Sequence, residues 1–301
     1  AGKRPGDHVP EFQYMNDIFH HISCPNPYRP PEGMEEGDLT ELLVKEFEDT
    51  IERLGSNNIG GFLAEPIQAS GGVIIPPDSY LRRIREVCKT HNILFVADEV
   101  VTAFGRLGHW FASEDEFGMI PDIICSAKGL SSGYLPIGAM IYSSEVHEVI
   151  SQSESGYFTS GFTYAGHPVS CAAALKNIEI MEREDILKNA HDVGLYFENK
   201  LATLNDLPLV GNVRGKKMMM CVENVANKET KELLPDELNV GKLISNKAEE
   251  LGLLVRPLGH LNVMSPALNI TTEDIDFIVL NLKKSIVSVT DSLVRSGHKI
   301  S

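Results

Sequence analysis

The sequence predicts an α/β protein in which a mostly parallel sheet flanked by helices is followed by a smaller α+β domain. Three observations carry this. Short, wholly apolar runs alternate with helical patterns early in the chain, as parallel strands do when crossovers cover both faces of their sheet. After Pro208 the alternation gives way to paired strands. The 301 residues, 43% hydrophobic and 23% charged, are enough for two domains with a sizeable core. The boundary is placed at 1–190 and 191–301.

The elements follow in order. Residues 1–37 are rich in Pro and Gly and read as an extended lead-in; the opening Ala1-Gly-Lys-Arg-Pro-Gly-Asp-His resembles a loop from mid-protein, so a fragment is expected. Apolar residues at 39, 42, 43, 47, 51 and 54 have helical spacing, with Asp38 as N-cap. Gly60–Ala64 reads as a buried strand ending at Glu65-Pro66. Asp78 opens a helix over Tyr80–Thr90, and Ile93–Ala97 is a strand ending at Asp98-Glu99. A polar stretch, 112–121, turns at Pro121. Strands follow at Ile123–Cys125 and Ile137–Tyr142, then helices at Pro168–Arg183 and Ile186–Leu204. Val210–Val213 and Met218–Val222 read as a strand pair, Val240–Leu251 as an amphipathic helix and Leu253–Val255 as a short strand. Thr272 is the expected N-cap of a last helix reaching Leu293.

Composition narrows the partners. A formal net charge of -15 disfavours a nucleic-acid backbone as ligand. No apolar run approaches the ~18 residues of a membrane span. Five scattered cysteines without C-x-x-C spacing suit a reducing, cytoplasmic compartment.

The candidate site lies where the strands end, since open α/β sheets bind ligands beyond the carboxyl ends of their strands. Three successive ends carry Glu65, Asp98 and Lys128. A lysine at a buried strand end is costly to keep charged, and a neutral amine is what Schiff-base chemistry needs. A carboxylate beside a pyridine nitrogen keeps that nitrogen protonated, which makes the ring an electron sink. The trio therefore suits pyridoxal phosphate, with Lys128 on the aldehyde and Asp98 on the ring nitrogen. For Asp98-Glu99 the plain alternative is a helix cap; without clustered histidines or carboxylates, no metal is expected. The Gly161–Pro168 stretch offers a threonine and backbone amides to a phosphate, or is simply a loop and cap.

Other motifs carry less. Gly129-Leu-Ser131-Ser-Gly133 matches the hydrolase G-x-S-x-G pattern, but the chain then returns to a strand where an elbow needs a helix. Gly211–Lys216 resembles a phosphate loop only loosely and reads as a hairpin turn.

Taken together, Ala64-Glu-Pro-Ile-Gln-Ala-Ser-Gly-Gly72, Phe95-Val-Ala-Asp98-Glu-Val-Val-Thr-Ala-Phe-Gly-Arg106, Ser126-Ala-Lys128-Gly-Leu, Gly161-Phe-Thr163-Tyr-Ala-Gly-His-Pro168 and Arg256-Pro-Leu-Gly-His resemble the class III aminotransferases, pyridoxal phosphate enzymes of fold type I. The resemblance implies a homodimer that exchanges amino groups between a small-molecule donor and a keto acid. It implies Lys128 as the Schiff-base lysine, Asp98 as the ring-nitrogen partner, Val100 packed on the ring and Glu65 near the cofactor. Thr163 would reach the phosphate of the neighbouring subunit, and Arg256 would pair with a substrate carboxylate. Ser70 and Val101 stand where ornithine- and 4-aminobutyrate-type members have Glu and Gln, which is more similar to the ω-amino acid or amine:pyruvate branch. The family's N-terminal part, with its phosphate-gripping turn and ring-stacking aromatic, has no counterpart in residues 1–60, so the chain is expected to hold an incomplete cofactor cradle. Phospho-lyase, racemase or mutase chemistry, or a non-catalytic chain that folds and dimerises, remain the alternatives.

Overall fold

In the computed structural model, which describes residues 13–15, 17–31, 39–154 and 156–301, the chain forms two units. The first takes the chain through Gly71, then Ile75–Phe104 and Phe111–Met181; the second takes Gly72–Ile74, Gly105–Trp110 and Glu182–Ser301. The expected cap Asp38 lies outside the described residues.

The first unit contains α1 (Leu39–Leu54), β1 (Gly61–Ala64), α2 (Tyr80–Thr90), β2 (Leu94–Asp98), α3 (Ala112–Asp115), β3 (Ile123–Ser126), β4 (Ala139–Tyr142), α4 (Ser144–Gln152) and most of α5 (Pro168–Arg183). Its strands lie in the order β1-β2-β3-β4. The first three are parallel, and β4 returns antiparallel to β3. α1 buries Leu39, Leu43, Val44, Phe47 and Ile51, the face its spacing predicts. Phe47 meets Phe62 of β1 at 4.8 Å between ring centroids, and Phe62 meets Phe95 of β2 at 5.6 Å, within the favoured range for tilted aromatic pairs. Asp122 ties down the start of β3: it accepts from Arg85 Nη2 at 2.6 Å and from the Phe95 amide at 2.7 Å.

The strands are not covered on both faces as their composition predicts. Period-two alternation and the strand register put Leu63, Leu94, Val96, Asp98, Ile123, Cys125, Met140 and Tyr142 on one face. Of these, Leu63, Leu94, Met140 and Tyr142 are exposed. Apolar strands report the capacity to be covered on two sides, and among the described residues only one side is filled. Two local helices were also invisible to apolar spacing: four-residue α3 inside the polar 112–121 stretch, and α4, whose Ser143 side chain accepts from the Val146 amide.

The second unit contains α6 (Ile186–Ala202), β5 (Val210–Lys216), β6 (Met219–Asn224), α7 (Val240–Glu250), β7 (Arg256–Leu258), β8 (Leu261–Met264) and α8 (Thr272–Arg295). Its sheet is antiparallel throughout, in the order β5-β6-β8-β7. Phe197, Leu201, Val222, Ile244, Ile275, Leu282 and Ile286 lie at its core. A buried ion pair, Arg214 Nη1 to Glu223 Oε2 at 2.6 Å, crosses from β5 to β6. Burial brings the Arg106 guanidinium down to about 10, and its Nη1 donates to the carbonyls of Met218 and Pro266.

Several expected boundaries move. Gly211–Lys216 belongs to strand β5, and the hairpin turn is Lys217-Met218, with Lys217 at φ +49°. The strand expected at Leu253–Val255 begins instead at Arg256, because pairing with β8 fixes Arg256 opposite Val263. The α8 cap is Thr271, not Thr272: its hydroxyl accepts from the Asp274 amide while the Asp274 side chain accepts from the Thr271 amide, a reciprocal capping box. α6 ends at Ala202, and Thr203–Asp206 continues as a 3-10 turn.

Phe95 has no exposed surface and joins β2 to the α1 side of the sheet. Phe95→Ala is expected to destabilise the chain by about 3–5 kcal/mol, read as a lowered urea midpoint.

Candidate active site

The parallel register assembles the site. Ala64 lies opposite Ala97, and Asp98 opposite Cys125. Glu65 therefore follows the end of β1, Asp98 closes β2, and Lys128 comes two residues after β3. The three groups sense one another. Burial is the main cause that pushes the Glu65 carboxyl above its ordinary value. The Ala69 amide, 2.9 Å from Oε2, opposes that rise; Asp98 adds to it, and Lys128 works against it. Asp98 also adds to the burial that raises the Cys125 thiol. Asp98 itself is oriented locally, because its Oδ1 accepts from the Val100 amide at 3.1 Å. Glu65, Asp98, Val100 and Lys128 thus lie within one rim of one sheet.

Lys128 differs from its expected setting. It is exposed, because β3 ends at Ser126 and the chain turns away in a 3-10 turn over Lys128–Leu130. Its position is instead fixed through the backbone. Lys128 has φ +39°, a left-handed conformation that costs a non-glycine residue of order 1–3 kcal/mol. Neighbouring groups hold that turn. Asn177, reaching over from α5, donates through Nδ2 to the carbonyls of Gly129 and Leu130 at 2.9 and 3.1 Å, and its Oδ1 accepts from the Ser132 hydroxyl at 2.7 Å. Gly129 sits so close to the next segment that a Cβ there would lie 3.0 Å from Phe104 Cβ and 3.3 Å from the Ala103 carbonyl. Ser131, the central serine of the G-x-S-x-G match, is buried and donates to the Leu135 carbonyl at 2.7 Å, so its hydroxyl serves the loop.

The remaining predicted residues lie elsewhere. Thr163 is exposed in the turn before α5, amid exposed aromatics, and makes no hydrogen bond to the strand-end groups among the described residues. Arg256 belongs to the second unit, where it is exposed on β7. Two residues near the site escaped sequence reasoning. Asn177 lies 45–48 positions from the groups it holds, and no local pattern marks it. Glu99 is marked by its place beside Asp98, and the helix-cap alternative is what it fulfils: both its oxygens accept from backbone amides that open α3.

This donor set fits one end of pyridoxal phosphate. A lysine two residues past β3 and a carboxylate of fixed direction at the end of β2, with the half-buried Val100 following it, supply the residue types that an aldehyde and a ring nitrogen require.

A carboxyl raised by burial makes a signed prediction. The folded state holds the Glu65 proton more tightly than the unfolded chain does. Its favourable contribution is therefore present below the unfolded value of 4.5 and is lost as pH rises through the folded value. Glu65→Gln keeps an oxygen for the Ala69 amide and removes the buried charge. It should raise the thermal midpoint near neutral pH, with the gain shrinking toward pH ~4, as checked by melts across that range.

Known proteins resemble the chain closely enough to give its family. The family model for aminotransferase class-III matches residues 7–286. The chain is 39% identical over 267 residues to a putrescine–pyruvate aminotransferase of Pseudomonas aeruginosa, covering 88% of this chain and 58% of that protein. It is 40% identical over 262 residues to the mitochondrial gamma aminobutyrate transaminase 1 of Solanum lycopersicum, covering 86% of this chain and 51% of that protein. Among solved structures, an amine transaminase from an uncultivated Pseudomonas species in its PLP-bound form superposes with a TM-score of 0.84 at 38% identity, over 89% of this chain and 61% of that one. The chain thus spans little more than half the length of these relatives. With its parallel strand ends, its lysine turn and a family match over nearly its whole length, the chain belongs to the class-III aminotransferases.

Proposed function

We propose that this chain serves a pyridoxal phosphate-dependent aminotransferase reaction that moves an amino group from an ω-amino acid or amine to a keto acid such as pyruvate. The observation that carries the reading is the meeting of Glu65, Asp98 and Lys128 at adjacent strand ends, with Asp98 held by the Val100 amide.

When bound, the cofactor supplies an electron sink for the charge released at the substrate carbon. The residues do the rest. Lys128 Nζ would hold the group at its aldehyde and, when free, would serve as the base that accepts the proton from the substrate carbon and then as the acid that delivers it. Asp98 would hold the group at its ring nitrogen and keep a proton there, and Val100 would pack beside it. Glu65, whose carboxyl is raised above its ordinary value mainly by burial, borders the same rim. Arg256 receives the carboxylate of the acceptor through charge-assisted hydrogen bonds.

A homodimer completes the site. Phe162 and Tyr164, 85% and 79% exposed, flank Thr163, and Val169 and Leu175 on α5 are exposed as well. Large exposed apolar side chains on successive segments suit a protein partner, and a second copy would bring Thr163 to the neighbouring phosphate. The substrate class is supported by Ser70 and Val101, which stand where the ornithine and 4-aminobutyrate type has Glu and Gln, and by the likeness to the putrescine–pyruvate aminotransferase of Pseudomonas aeruginosa. The absence of an apolar membrane-length helix among the described residues and the scattered cysteines suit a cytoplasmic setting.

Two experiments test this. Reduction of the chain with borohydride in the presence of pyridoxal phosphate should place the pyridoxyl mass on Lys128; label spread over other lysines, or retained in Lys128→Ala, would defeat the assignment. Alanine formed from pyruvate should require the amine donor, and Arg256→Ala should raise the KM for pyruvate about 10–100-fold, the worth of one charge-assisted contact. Turnover independent of any keto acid would favour lyase or racemase chemistry instead.

A further inference from the structure

Glu99 has no exposed surface, yet no cation pairs with it among the described residues. Its carboxyl group is satisfied entirely by neutral donors. Oε1 accepts from the Ser113 amide at 2.8 Å and the Ser113 hydroxyl at 2.6 Å. Oε2 accepts from the Ala112 amide at 2.7 Å and the Thr102 hydroxyl at 3.0 Å. Four donors converging on two oxygens leave the group a single orientation. The backbone of Glu99 is fixed as well: its amide donates to the Cys125 carbonyl at 2.8 Å, and its carbonyl accepts from the Ala103 amide at 3.1 Å.

The segment so fixed is the one on which Asp98 depends. Asp98 Oδ1 takes its direction from the Val100 amide, and Val100 lies between Glu99 and Thr102, both ends of the Glu99 network. Asp98 ends a strand on the open face of the sheet, where no ladder bond orients its side chain. A turn that swung freely would carry the Val100 amide away from it. α3 is too short, at four residues, to be stable alone, and its N-terminal residue Phe111 supplies no side-chain cap. The cap comes from Glu99, thirteen and fourteen positions earlier. One carboxyl group therefore builds α3 and sets the turn after β2.

We infer that Glu99 is the positioning residue for Asp98: through Thr102 and the first turn of α3 it holds the Val100 amide where that amide aims the Asp98 carboxylate. The inference rests on the reading of Asp98 as the ring-nitrogen partner and assigns to Glu99 no contact with cofactor or substrate.

The test uses two variants of the full chain. Glu99→Gln puts an amide donor against two of the four donors, and Thr102→Val removes one donor while keeping the shape. Amide hydrogen exchange followed by NMR, without cofactor, is expected to accelerate at Val100 about fivefold or more in either variant, while Phe95 and Ala97 in β2 keep their wild-type protection. Unchanged exchange at Val100, or equal acceleration at Phe95 and Ala97, would overturn the inference; should Glu99→Gln fail to fold, Thr102→Val decides it. A second readout compares pyridoxal phosphate with its 1-deaza analogue, which has no ring nitrogen for Asp98 to engage. Both variants should weaken pyridoxal phosphate binding about tenfold and leave the analogue within about twofold. Equal weakening of both compounds would mean a merely structural role. If wild type binds the two compounds alike, the reading of Asp98 falls, and the exchange result alone judges whether Glu99 holds the turn.

Discussion

The parallel pairing of β1, β2 and β3 is the constraint on which the site depends. A strand paired in register cannot slip by one residue without reversing every side chain between the two faces. With Ala64 opposite Ala97 and Asp98 opposite Cys125, Glu65, Asp98 and Lys128 must emerge at one rim. The apolar contacts of Phe47, Phe62 and Phe95 hold the register from one side, and Asp122 holds it from the far end, where one carboxylate bridges Arg85 and the Phe95 amide. Packing far from the chemistry thereby fixes the chemistry's geometry.

Local pattern announced most of the elements and failed where tertiary pairing decides. The helices over 39–54, 80–90 and 168–183 follow from apolar spacing because each buries a single stripe. β7 was misplaced by a few residues because its limits are set by β8, a strand with no signal of its own. Gly211–Lys216 looked like a turn because two glycines interrupt it, yet pairing with β6 overrides that preference. Asp98 and Lys128 draw notice because a charged residue at or just past the end of an apolar strand stands out. Asn177 was not, since its two roles join α5 to a loop that no local pattern relates to it.

Electrostatics divides the rim into distinct environments. Glu65 is pushed toward its neutral form chiefly by burial, while the Asp98 side chain is aimed by the Val100 amide. Lys128 faces solvent and is defined by the turn that carries it more than by its surroundings.

The left-handed backbone at Lys128 has an evolutionary consequence. Glycine or asparagine would occupy φ +39° with less strain than lysine does, and Asn177 with close-packed Gly129 keeps the turn shaped whatever residue stands there. Selection for stability alone would therefore drift away from lysine at this position. Under the proposed role of Lys128, the fold concedes stability to function here, and copies of this chain released from that role would be free to relax it first.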